Sequence, residues 1–107
     1  MIESHAVLVL TTVADPAQAA TLGRALVEAH HAACVSVIEE MRSTYRWEDK
    51  VVEERECLLL IKAPSESVAA LREALLAQHP YEVPEALVLD AAGVPEPYAA
   101  WLKASTE

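Results

Sequence analysis

The spacing of apolar and polar residues changes several times along the chain, and each change marks the boundary of a predicted strand or helix. Residues 6–10 form a continuous apolar run, which predicts a central strand buried on both faces. Asp15 and Pro16 follow, and this pair is typical of a helix start because Asp caps the first N–H groups and Pro suits the first helical position. Apolar side chains at helical spacing then predict an amphipathic helix over residues 16–31.

An extended pattern returns in the middle of the chain. Residues 33–38 begin a second predicted strand, which resumes over residues 44–47 after a polar break at 39–40. Residues 48–49 are both acidic and predict a turn. A third strand is predicted over residues 51–61, with a polar first half and an apolar second half. The two long strands together predict a β-hairpin.

The last part of the chain predicts a second helix, a fourth strand and a terminal helix. Ser65 is the expected N-cap of the second helix, and Pro80 ends it because the residue before a proline disfavours the helical conformation. The fourth strand is predicted over residues 83–89, where Pro84 favours a position at the edge of the sheet because proline cannot donate to a ladder. Residues 95–103 predict a short C-terminal helix.

The predicted order is β-α-β-β-α-β with an added C-terminal helix, in a single domain over residues 1–107. Two right-handed β-α-β crossovers place both central helices on the same face of one sheet. We therefore expect an α+β fold, a ferredoxin-like sandwich with a long hairpin between its second and third strands. The opposite face of the sheet has no helix packed on it, so another part of the protein or another subunit has to bury it.

The predicted hairpin is longer than the domain that carries it. Two strands of about 13 residues, at ~3.3 Å per residue, span about 40 Å. A domain of this length has a diameter of roughly 34 Å. Tyr45 and Trp47 near the tip would be exposed on a monomer, so we expect sister subunits in a closed ring to cover the hairpin and the open sheet face. A monomer with a bent hairpin is the alternative.

The net charge of the chain limits the kinds of molecule that it is expected to bind. The chain has 17 acidic and 8 basic side chains and a formal net charge of −9. Such a chain repels phosphate backbones, which argues against nucleic acid and leaves metal cations, a basic partner or plain solubility. We find no basic leader and no apolar run long enough to span a membrane, and two cysteines are too few for a disulfide scaffold. We therefore expect a cytoplasmic protein with reduced thiols and no membrane partner.

Cys34 and His79 are the candidate metal ligands. A thiolate suits Cu(I) and an imidazole suits Cu(II) or Zn(II), so copper or another divalent cation is the expected cofactor of a site shared across a subunit boundary. The alternatives are a packing role for Cys34 and a favourable interaction of His79 with the end of the second helix. Cys57 leads directly into an apolar run and is expected in the core.

A second candidate site is a cleft between subunits that would hold a small anion. Its expected residues are Thr11, Thr12, Tyr45, Arg46, Trp47, Lys50, Tyr81, Glu82, Glu85 and Trp101. The structural alternative for the hairpin members is subunit contact, because aromatic side chains and Arg are enriched in interface cores. The two threonines end a parallel-type strand at the carboxyl edge where ligands tend to bind, but no Gly-rich phosphate loop follows. No Ser-His-Asp or Gly-x-Ser-x-Gly pattern occurs, so no enzyme is predicted.

Four sequence blocks together resemble the CutA divalent-cation (copper) tolerance family. They are Ala-Cys-Val at 33–35, Tyr-Arg-Trp-Glu-Asp-Lys at 45–50, Leu-Leu-Ile-Lys at 59–62 and His-Pro-Tyr-Glu-Val-Pro-Glu at 79–85. The resemblance covers nearly the whole chain without large insertions. It implies a homotrimer with a ferredoxin-like protomer, similar in architecture to PII-type signalling proteins, and a link to tolerance of divalent cations, chiefly copper. It implies no established reaction.

The chain departs from the family pattern at several positions. Asp49 stands where glycine is usual in the turn, and Glu-Glu at 39–40 stands where Pro-Gly is common. Some members have a cysteine at the place of Thr11 and paired histidines at 78–79, positions tied to metal binding, and here only His79 of that set is present. We expect a trimeric divalent-cation tolerance protein. The alternative is a PII-like regulatory module that binds a small anion or nucleotide at subunit clefts and signals through an unidentified protein partner.

Overall fold

The structure, a computed structural model, describes residues 5–107. Its elements are β1 (Ala6–Val13), α1 (Pro16–Glu28), β2 (Cys34–Trp47), β3 (Lys50–Pro64), a short 3-10 turn (Ser65–Ser67), α2 (Val68–Gln78), β4 (Leu87–Asp90) and α3 (Glu96–Thr106). This order confirms the predicted α+β plan with a terminal helix. Residues 1–4, which belong to the segment where no basic leader was found, lie outside the described residues. No helix within residues 5–107 combines the length and the apolar character needed to cross a membrane.

One four-stranded sheet of order β2-β3-β1-β4 organises the protein. Every neighbouring pair is antiparallel, and Val9 of β1 lies opposite both Ile61 of β3 and Val88 of β4. β1 is therefore central, as its apolar run predicted. The expectation that Thr11 and Thr12 end a parallel-type strand was wrong, because β3 returns beside β1 and separates it from β2.

The start of α1 follows the sequence signal. Oδ1 of Asp15 accepts a 2.8 Å hydrogen bond from the backbone N–H of Gln18, and Pro16 is the first helical residue. The helix ends at Glu28 rather than at the predicted residue 31. The reason is the left-handed backbone of His30, whose φ of 63° turns the chain out of the helix and towards β2.

The hairpin of β2 and β3 has the predicted length. β2 is one continuous strand of 14 residues, because a bulge between Ile38 and Met41 absorbs the two glutamates that were expected to interrupt it. Glu48 and Asp49 form the turn, with φ values of 49° and 64°. The described chain measures 45 × 26 × 23 Å along its principal axes, so the hairpin extends well beyond the packed part of the protein.

The second half of the chain differs from the prediction in where its elements begin. α2 begins at Val68 after the 3-10 turn, so Ser67 rather than Ser65 occupies the N-cap position, where no side-chain capping hydrogen bond is made. β4 begins at Leu87 rather than at residue 83, because the chain around Pro84 runs as a connection outside the ladder. The position of β4 at the edge of the sheet is confirmed.

Alternation along the strands gives the sheet one packed face. The buried side chains of this face and of the helices above it are Val7, Val9, Val13, Leu59, Ile61, Leu22, Leu26, Leu71 and Leu75. α1 approaches β2 closely, since a Cβ added to Gly23 would lie 3.1 Å from Cγ1 of Val35. The main core of the protein therefore lies between the sheet and the pair α1 and α2.

The opposite face of the sheet, which we call the open face, is apolar but largely uncovered. Its aliphatic side chains are Leu8, Leu10, Ile38, Leu58, Leu60, Leu87 and Leu89. Leu87 and Leu89 are 56 % and 46 % exposed. At one end of this face α3 packs through Leu102 against Ala6 and Ala33. The expectation that this chain leaves one sheet face open is confirmed for the described residues.

Candidate functional site

A groove of about 900 Å³ runs between the hairpin and the segment that follows α2, and we call it the hairpin groove. Alternate residues of β2 and β3 line one side, because successive side chains of a strand point to opposite faces. Its aromatic and acidic lining residues are Tyr45, Trp47, Tyr81, Glu54, Glu56, Glu82 and Glu85. The groove therefore combines flat ring surfaces with negative charge.

Tyr81 ties the two sides of the groove together. Its hydroxyl donates a 2.6 Å hydrogen bond to Oε2 of Glu56, which is only 7 % exposed. Burial raises the pKa of Tyr81, and the hydrogen bond to Glu56 raises that pKa further. Tyr81 thus keeps its proton and remains a donor over the whole physiological pH range.

His79 connects the segment that follows α2 to the end of β1. Its Nδ1 accepts a 3.1 Å hydrogen bond from the backbone N–H of Tyr81, so the proton of a neutral ring lies on Nε2. Nε2 lies 2.9 Å from the carbonyl oxygen of Thr12, to which it donates, and 3.0 Å from Oγ1 of Thr11. Burial lowers the pKa of His79, against smaller opposing effects of the Thr12 carbonyl and Glu56. Both ring nitrogens are therefore engaged within the chain.

The acidic side chains of the groove have no cationic neighbour in its wall. No Lys, Arg or His lines the groove within the described part of the chain. Burial raises the pKa of Glu85, and the nearby charge of Glu56 adds to the effect. Burial also raises the pKa of Tyr45, and Glu54 raises it further. The carboxylates thus repel one another in a partly desolvated space.

Cys34 lies outside the groove lining, on the open face at the other end of the hairpin from Trp47. It is partly exposed at the start of β2 and pairs across the ladder with Lys62. Nζ of Lys62 donates to Oγ of Ser36 at 3.1 Å and approaches the Cys34 sulfur at 3.9 Å. Cys57 is buried, and its thiol donates to the Glu39 carbonyl at 3.4 Å, as a core position predicts. Burial, followed by the charge of Glu39, raises the pKa of Cys57.

One chain does not bring the two candidate metal ligands together. Cys34 faces the open side of the sheet, whereas His79 contacts Thr11, which shares the packed side with Val9. Among residues 5–107 no group of three or more His, Cys, Asp and Glu side chains is placed to hold a metal ion. A metal site containing Cys34 therefore needs donors from a second chain.

The structure gathers only part of the expected cleft. The expected residues that line the hairpin groove are Thr12, Tyr45, Trp47, Tyr81, Glu82 and Glu85. Thr11 is fully buried behind them against His79, and Arg46 and Lys50 lie on the hairpin outside the lining. Trp101 lies on α3, where its ring packs 5.6 Å from that of Tyr98. The cationic members of the expected anion cleft are therefore absent from the groove.

Sequence reasoning missed Glu54 and Glu56 as groove residues. Both lie in the polar half of β3, where Glu54 pairs with Ser43 and Glu56 with Met41. The alternation of β3 could have placed them in the groove, because residues 52, 54 and 56 lie on the same strand face as the β2 residues opposite them. Reading it required the position of the bulge in β2, which sets the register.

Comparison with known proteins adds to this geometry. The model of the family described as CutA1 divalent ion tolerance protein matches residues 7–105. The chain belongs to this family. The CutA family is characterised by divalent-cation tolerance and is not a known enzyme family.

Individual CutA relatives are similar over nearly the whole chain. A divalent-cation tolerance protein CutA of Thermus thermophilus is 41 % identical over 99 residues, which cover 92 % of this chain and 96 % of that protein. The protein of the same name from Pectobacterium atrosepticum is 42 % identical over 100 residues, covering 94 % and 91 %. The structure of CutA from Synechococcus elongatus matches with a TM-score of 0.94 at 39 % identity, covering 99 % and 95 %. The resemblance of the four sequence blocks is thus confirmed.

Proposed function

We propose that this CutA chain acts as a homotrimer in divalent-cation tolerance, with copper or another divalent cation bound at a boundary between subunits through Cys34. The observation that carries the proposal is the open face, an apolar sheet surface that also holds this partly exposed thiol. The proposal places the protein in the cytoplasm, where both cysteines stay reduced.

The open face supports the assembly. Leu87 and Leu89 are about half exposed on one chain, and rows of aliphatic side chains of this kind rarely remain in contact with water. The hairpin extends beyond the packed part of the chain and its Trp47 is 42 % exposed, so burying it against a sister subunit would be favourable as well. A head-to-tail contact that buries both surfaces closes into a ring by symmetry.

The donor chemistry supports Cys34 as the ligand contributed by each chain. Its sulfur is a soft donor of the kind that copper prefers, and it is accessible at the edge of the open face. Lys62 lies next to it and would have to turn away from the sulfur for a cation to bind. His79 fits the role less well, because its two nitrogens already serve Tyr81 and Thr12.

The charge of the groove weighs against the alternative of an anion or nucleotide site. Glu54, Glu56, Glu82 and Glu85 line it without a basic side chain from the described residues. A phosphate group entering this space would be repelled by these four carboxylates. We therefore favour a cation-related role for the protein.

A copper titration tests the metal proposal. Cu(I) is added anaerobically to the reduced protein in competition with a chelating indicator, and the same titration is repeated with Cys34→Ala. We expect saturable binding in the native chain and its loss in the variant. Cys57→Ser is the matched control, since this buried thiol should not contribute. Equal binding by the native chain and Cys34→Ala would overturn the assignment.

A further inference from the structure

We draw no further inference here: the strongest candidate, the apolar groove that Val27, Val35 and Val37 line between α1 and the edge strand β2, carries none because nothing within residues 5–107 shows what covers it.

Discussion

The hydroxyl of Tyr81 lies 2.6 Å from Oε2 of Glu56, and this contact joins two segments separated by 25 residues in sequence. The backbone N–H of the same tyrosine donates to Nδ1 of His79. Tyr81 therefore connects the hairpin to the end of β1 through one side chain and one backbone group. The geometry of the hairpin groove depends on this link.

Removal of the Tyr81 hydroxyl should destabilise the protein. Tyr81→Phe leaves the carboxylate of Glu56 buried without its donor, so we expect a loss of about 1–3 kcal/mol in the free energy of unfolding. Urea unfolding at fixed protein concentration measures it. The control is Tyr98→Phe on α3, where the side chain is 40 % exposed and we expect a change within about 0.5 kcal/mol. Equal losses would show that the contact with Glu56 is not important.

Acidification should destabilise the fold through His79. Its pKa is lowered in the folded state relative to 6.5, because burial disfavours the charged ring. The unfolded chain therefore binds more protons, and stability falls as the pH drops below about 6.5 towards the folded-state pKa. The free energy of unfolding between pH 8 and 5.5 checks this.

Variants assign the pH effect to the ring. His79→Gln should flatten the dependence between pH 8 and 5.5, whereas His5→Gln, at an exposed position, should leave it as in the native chain. The raised pKa of Glu85 has the opposite effect on stability. Just above its ordinary pKa of 4.5 the folded state binds more protons than the unfolded chain, so acidification stabilises the fold in that lower pH range. An unchanged slope in His79→Gln would contradict the assignment.

A charge on the open face should disrupt the proposed trimer. Leu89→Glu places a carboxylate among aliphatic side chains, and we expect sedimentation to show a shift to the 11.6 kDa chain mass. Leu76→Glu on α2 is a matched control, because Leu76 is 45 % exposed and Leu89 is 46 % exposed. Dissociation in both variants, or in neither, would count against the open face as the interface.

The turn of the hairpin should gain stability from glycine. Asp49 has a φ of 64°, a left-handed conformation that costs an ordinary residue about 1 kcal/mol. Asp49→Gly should raise the free energy of unfolding by less than that amount, because Asp tolerates this conformation better than most residues and glycine loses more entropy on folding. Asp49→Ala keeps the Cβ in the same conformation and should give no such gain. Thermal unfolding of the two variants side by side provides the comparison.

Local sequence signals were sufficient for the order and type of the elements. Asp15 and Pro16 begin α1 because capping depends on neighbours within three residues. The apolar run of β1 predicted its central position, which is confirmed, although Leu8 and Leu10 on its open side are only partly buried. The family blocks also lie in continuous stretches, so the sequence alone carried the resemblance.

Tertiary structure decided which side chains meet. The bulge after Ile38 sets the register that brings Glu56 opposite Met41 and within reach of Tyr81, and no local pattern specifies that register. Cys34 and His79 were a plausible pair in sequence, but the sheet separates them because alternate residues of strands face opposite sides. Periodicity is a property of neighbours in the chain, whereas a site depends on distances between segments that only the packed fold determines.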